Sequence, residues 1–147
     1  MPLIDQLKSA MKDAMRAKEK TRLGTIRMVL AAVKQREIDD KIVLDDTGIL
    51  SVITKAVKQR KDSIAQFKDA GRDDLVAIEE AEMAVLEDFM PQALTQAELD
   101  ELINSTLADT GAAGMQDMGK VMAALKPLVQ GRTDMGALSA LIRNKLN

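Results

Sequence analysis

Residues 86–99 read "LEDFMPQALTQAEL", and this stretch decides the fold. Leu86 and Phe89 close an apolar stripe of helical spacing. Pro91 then stops the helix, because the residue before a proline is pushed out of the α region. Four residues later Thr95 and Glu98 form the T-x-x-E pattern of a capping box, in which each side chain satisfies a free N–H at a helix start. A helix stop is therefore followed at once by a helix start. We place the domain boundary in "MPQAL", which gives an N-terminal domain over 1–91 and a C-terminal domain over 92–147.

Working outward, every periodic segment has the helical period, and none shows the period-2 alternation of a strand. A first helix is predicted over 3–19, with Leu3, Leu7, Met11 and Met15 at i, i+4 spacing. A second covers 21–39, with Leu23, Ile26, Leu30 and Val33 on one face. The polar break "DDKIVLDDTG" leads to a third over 46–70, carrying Leu50, Ile53, Val57, Ile64 and Phe67. Gly71 sits where a left-handed cap belongs. Asp73 or Asp74 opens a fourth, with Leu75, Ile78, Val85, Leu86 and Phe89. Beyond the boundary, helices are predicted over 96–109, 118–130 (capped by Asp117) and 134–146 (capped by Thr133 or Asp134). The expected architecture is all-α: about four helices, then a small three-helix domain.

Composition narrows the chemistry. The chain has no Cys, His, Trp or Tyr, and Phe67 and Phe89 are its two aromatic residues. The commonest general base and metal ligand is thus missing, and base stacking on aromatic rings is nearly excluded. No phosphate-loop, dinucleotide, zinc-protease or nucleophile-elbow motif occurs. No catalytic residue, cofactor or metal site is predicted, and stand-alone catalysis is disfavoured. The first twenty residues contain no apolar core of a secretory leader, and no run approaches the roughly 18 apolar residues of a membrane span. The expectation is a soluble cytoplasmic protein with no membrane partner.

The net charge of −2 conceals strong segregation. Residues 1–36 balance at +6, 37–50 at −4, 51–72 at +4, 73–101 at −10, and 119–147 at +4. Blocks of this kind suit a basic surface for an anionic partner, or basic and acidic helices that face each other. Arg27 and Lys34 lie on one flank of the second helix. Lys58 and Lys61, with Lys55 and Lys68, lie on the outer side of the third. Solvated lysine is the ordinary reading of such stripes, and phosphate contact is the functional one. At roughly 100° per residue, three charges fall on apolar faces: Arg60, Glu82 and Glu37. A buried charge has to be paired, so Arg60 is expected to meet Glu82, or Glu37, across a helix interface.

The segment "DMGKVMAALKPLVQGRTDM", 117–135, is the richest in unusual choices. Beside its core face run Gly119, Ala123, Lys126 and Gln130. A glycine inside a helix costs about 1 kcal/mol against alanine, for which close approach of another backbone would compensate. That backbone would be the last helix or a sugar-phosphate chain. Pro127 is expected to kink or end the helix. Together with Lys120, Gly131 and Arg132 these residues make a cationic helical tip.

Four stretches together, "LGTIRMVLAAVKQREID", "VKQRKDSIAQFKDAGRDDL", "EMAVLEDFMPQALTQAEL" and "DMGKVMAALKPLVQGRTDM", resemble the GatB/YqeY family over almost the full chain. The resemblance implies an all-α protein whose C-terminal part is similar to the tail of the B subunit of the aspartyl/glutamyl-tRNA amidotransferase. That enzyme amidates mischarged tRNA with glutamine as amide donor, and its tail helps hold the tRNA. Gly119, Lys120, Gly131 and Arg132 match the tail motif, and Lys126 is basic where related chains vary. The catalytic cradle of that enzyme has no counterpart here. The resemblance thus implies a tRNA-binding or amidotransferase-associated accessory module. Its expected partners are tRNA, amidotransferase subunits or an aminoacyl-tRNA synthetase. The alternative is a protein-interaction adaptor with no nucleic-acid role.

Overall fold

A computed structural model describes residues 1–147. Seven α-helices and one short 3-10 turn form, with no strand: α1 Leu3–Arg16, α2 Lys20–Asp40, α3 Asp46–Asp69, α4 Asp73–Glu87, α5 Gln96–Thr110, the turn Met115–Asp117, α6 Met118–Val129 and α7 Met135–Leu146. The chain divides into two compact units, Met1–Met90 and Pro91–Asn147.

Local chemistry accounts for most helix ends. α1 stops at Arg16, earlier than the periodicity predicts, because Lys18 turns left-handed (φ 58°) and the Glu19 N–H closes back on the Ala14 carbonyl. α2 ends the same way at Lys41 (φ 54°), with the Ile42 N–H donating to the Glu37 carbonyl at 3.1 Å. Asp45 caps α3 by accepting from the Gly48 N–H at 2.8 Å. Gly71 takes φ 70° after α3, and the Arg72 N–H reaches the Phe67 carbonyl at 2.9 Å. The capping box at α5 is complete: the Glu98 N–H donates to Thr95 Oγ1 at 3.1 Å, and the Thr95 N–H to Glu98 Oε1 at 3.2 Å. Asp134 caps α7 through the Gly136 N–H.

Two expectations about α6 are corrected. Asp117 does not cap it; its carboxylate accepts from the Ala113 N–H at 2.9 Å and so closes the preceding turn instead. Pro127 does not end the helix at its own position. α6 runs on to Val129, because a proline this close to the C-terminus gives up only one bond before the helix stops anyway.

Each unit has its own core. In Met1–Met90, Leu7, Ile26, Val29, Val33, Ile49, Ile53 and Leu86 are almost fully buried. In Pro91–Asn147, Ile103, Val121, Leu125, Val129, Leu138 and Ile142 are fully buried. Met15 and Ile78, expected on core faces, stay about half exposed, since no helix packs over their ends of α1 and α4.

Candidate functional site

In the first unit, α3 and α4 bring Arg60 and Glu82 together, with Nη2 to Oε2 at 3.2 Å. The Arg60 side chain is only 12 % exposed and Glu82 29 %. Arg60 also leans on the Met28 sulfur and donates a long bond, 3.3 Å, to the Ala56 carbonyl. Its Nε has no partner, an incompletely satisfied buried group of the kind that packed helices rarely keep. Glu37 plays no part in this pair. Its carboxylate accepts from the Leu44 N–H at 2.8 Å and holds the α2–α3 connection.

Two grooves flank Met28. One, about 640 Å³, lies between α2 and α3 over Ala32, Val52 and Ala56, with Arg36, Lys55 and Arg60 on its walls. The other, about 430 Å³, lies between α2 and α4 over Gly24, Ala77 and Ala81. The predicted phosphate stripes line neither groove. Arg27, Lys34, Lys58 and Lys61 all project into solvent. None of these four takes part in an ion pair, whereas Arg16, Arg22, Arg36, Arg60 and Arg72 all do.

In the second unit the candidate cations divide into bound and free. Lys120 is exposed, and its ammonium donates to the Thr110 carbonyl at 2.8 Å, meeting the negative end of α5. Arg132 Nε donates to the Gln92 carbonyl at 3.0 Å, and its own carbonyl accepts from the Leu94 N–H at 2.8 Å. Arg132 thus fastens the segment before α5 to the α6–α7 turn. Gly131 takes φ 75° in that turn, a conformation that favours glycine. Lys126 is exposed, and no acidic side chain pairs with it.

Gly119 corrects the expectation of close packing by α7. A side chain built there would meet nothing within 4 Å. The residue also lies in the first turn of α6 rather than its interior, so its conformational cost is small. Gly119, Ala123 and Lys126 form an uncovered face.

Two carboxyls titrate below their ordinary range. The bond from the Thr95 N–H lowers Glu98, with the Thr95 hydroxyl and the Arg132 charge adding to it. The Arg72 guanidinium lowers Asp74. No group of three or more acidic side chains is placed to hold a metal ion, and no helix is long and apolar enough to cross a membrane.

Sequence reasoning missed one contact of the first unit. Arg22 Nη1 reaches Asp88 Oδ2 at 2.7 Å, and its guanidinium carbon lies 5.5 Å from the Phe89 ring centre. The partners are 66 residues apart, so no local spacing announces them.

A family model described as Yqey-like protein matches residues 4–146. The chain belongs to this YqeY family. Among curated proteins, this YqeY-family chain is similar to three fungal proteins, each named "Altered inheritance of mitochondria protein 41, mitochondrial". That of Pyrenophora tritici-repentis is 33 % identical over 132 residues, covering 88 % of this chain and 72 % of its own length. That of Kluyveromyces lactis is 41 % identical over 110 residues, covering 72 % of this chain and 59 % of its own. That of Eremothecium gossypii is 42 % identical over 97 residues, covering 65 % and 52 %. The chain therefore spans between about half and three quarters of these relatives' length. Their names overturn the expectation of a cytoplasmic protein. The physical reason is plain: a missing apolar core argues against a secretory leader, whereas organelle addresses are basic and amphipathic and escape that test.

Proposed function

We propose that this YqeY-family chain is a tRNA-binding or amidotransferase-associated accessory module, linked through its family to tRNA-dependent amidation with glutamine as amide donor. Its unit Met1–Met90 would be a four-helix domain, and Pro91–Asn147 a three-helix domain of the GatB/YqeY tail type. The observation that carries this reading is the free charge. Arg27, Lys34, Lys58, Lys61 and Lys126 are exposed and have no ion-pair partner. Such cations can neutralise phosphates and release counterions without first giving up an internal bond. The open space above Gly119 supports it too, since a sugar-phosphate chain could lie against bare backbone beside Lys126.

Fluorescence anisotropy with labelled tRNA across a salt series tests the reading. Binding should weaken steeply as salt rises. Undetectable or salt-insensitive binding at tens of micromolar protein, the range of ordinary non-specific affinities, would reject it. The partners proposed are tRNA, amidotransferase subunits or an aminoacyl-tRNA synthetase. The side chains offer no general base of histidine type, so catalysis by the chain alone is not proposed. Pure protein given glutamine, ATP and Glu-tRNA should yield no amidation.

A second reading, a protein-interaction adaptor, is favoured by the grooves on either side of Met28. Their floors of Gly24, Ala32, Ala56, Ala77 and Ala81 leave room for a partner helix. Protein partners recovered after nuclease treatment would favour it over the RNA reading.

A further inference from the structure

The α2–α3 connection exposes three large aliphatic side chains within six residues: Ile38 (61 %), Ile42 (48 %) and Val43 (89 %). Scattered apolar side chains at a surface are normal, but a cluster on one short segment calls for an explanation. Beside Val43 opens a cleft of about 630 Å³, with Pro2, Ile4, Leu44 and Ile49 as apolar walls and Asp45 and Asp46 at its edge. Over residues 37–50 the charge is −4, with Glu37, Asp39, Asp40, Asp45 and Asp46 against Lys41 alone.

The connection is braced rather than loose. Glu37 accepts from the Leu44 N–H, Asp45 from the Gly48 N–H, and Asp46 from the Leu3 N–H at 3.0 Å. Lys41 turns the chain left-handed at the end of α2. These bonds hold the aliphatic side chains outward in a fixed turn, which lowers the ordering cost of docking.

We infer that this corner is a docking site for a basic, apolar-bearing segment of a protein partner, whose Leu- or Ile-like side chains cover Ile38, Ile42 and Val43 while its Lys or Arg meet the acidic rim. The negative rim repels phosphate and so disfavours RNA as the occupant. The neighbouring blocks 1–36 and 51–72 are basic, so this acidic corner is chemically distinct from the candidate RNA surface and its use is independent of that reading.

The test titrates isotope-labelled full chain with a synthetic amphipathic Leu/Lys peptide, with a Leu/Glu peptide of the same apolar pattern as control. The Leu/Lys peptide should shift the amide resonances of Ile38, Ile42, Val43 and Thr47, and the control should not. Ile42→Ser with Val43→Ser, and separately Asp39→Lys with Asp40→Lys, should each weaken binding at least about ten-fold. All four side chains are exposed, so both variants should keep native spectra. Unchanged affinity in either variant, shifts confined to the acidic segment 73–101, or equal binding of the Leu/Glu peptide would overturn the assignment. So would self-association in sedimentation that disappears in the Ile42→Ser/Val43→Ser variant, because the occupant would then be a second copy.

Discussion

In Met1–Met90 a guanidinium lies within the helical packing, Arg60 against Glu82, while Arg27, Lys34, Lys58 and Lys61 stand free at the surface. In Pro91–Asn147 no ion pair forms, its core is aliphatic, and two of the cations that match the tail motif are tied down, Lys120 to the end of α5 and Arg132 to the segment before it. The comparison teaches that a motif cation is not automatically a free charge. A small helical unit has many unsatisfied helix-end carbonyls for its size, and nearby Lys and Arg meet them. The larger unit has enough interior to hold an ion pair and still leave grooves beside it.

The largest effect should come from the ion-free core. Ile142→Ala, at a fully buried position, should cost about 2–5 kcal/mol, read as a lower urea midpoint of the Pro91–Asn147 unit. Loss of protection in hydrogen exchange should concentrate in α5, α6 and α7. A loss spread equally over α1–α4 would break the picture of two separate cores.

Next in size is the buried pair. Glu82→Ala leaves Arg60 uncompensated and should cost about 2–3 kcal/mol, below the range for fully buried pairs because Glu82 is partly exposed. Arg60→Met combined with Glu82→Leu should recover most of that loss, within about 1 kcal/mol of the parent, in chemical denaturation. If the double variant is as unstable as the single one, the pair contributes more than packing can replace.

The free and tied cations should then separate in two measurements. Lys126→Ala should weaken tRNA binding and lower the salt slope by about one phosphate's worth, with the melting temperature unchanged. Lys120→Ala should cost about 0.5 kcal/mol of stability as well, since α5 loses a cation at its C-terminus. Identical behaviour of the two would erase the distinction.

The smallest effect concerns Glu98, which sits at the surface. Its folded pKa is lowered from an ordinary 4.5 by the Thr95 N–H. A lowered carboxyl stabilises the fold fully above its unfolded value, and that contribution is lost as pH falls below 4.5 toward the folded value. Glu98→Gln should therefore flatten the acid side of the stability–pH curve slightly, with little change at neutral pH.

What the sequence by itself determined is what depends on neighbours within a turn or two. The helical period, the Thr95–Glu98 box, the Asp45 and Asp134 caps and the left-handed Gly71 all rest on bonds that span two to five residues. The family was legible for a related reason, since its motifs are contiguous runs of residues. Only the tertiary structure decided which charges meet. Arg60 takes Glu82 and not Glu37 because α4, not the end of α2, brings a carboxylate to it, and Arg22 finds Asp88 across 66 residues. It decided too that Gly119 faces open space, and that Lys120 and Arg132 serve the fold while Lys126 stands free. Helical periodicity places a residue on a face. What lies across from that face is set by how distant helices pack, and no local spacing carries that information.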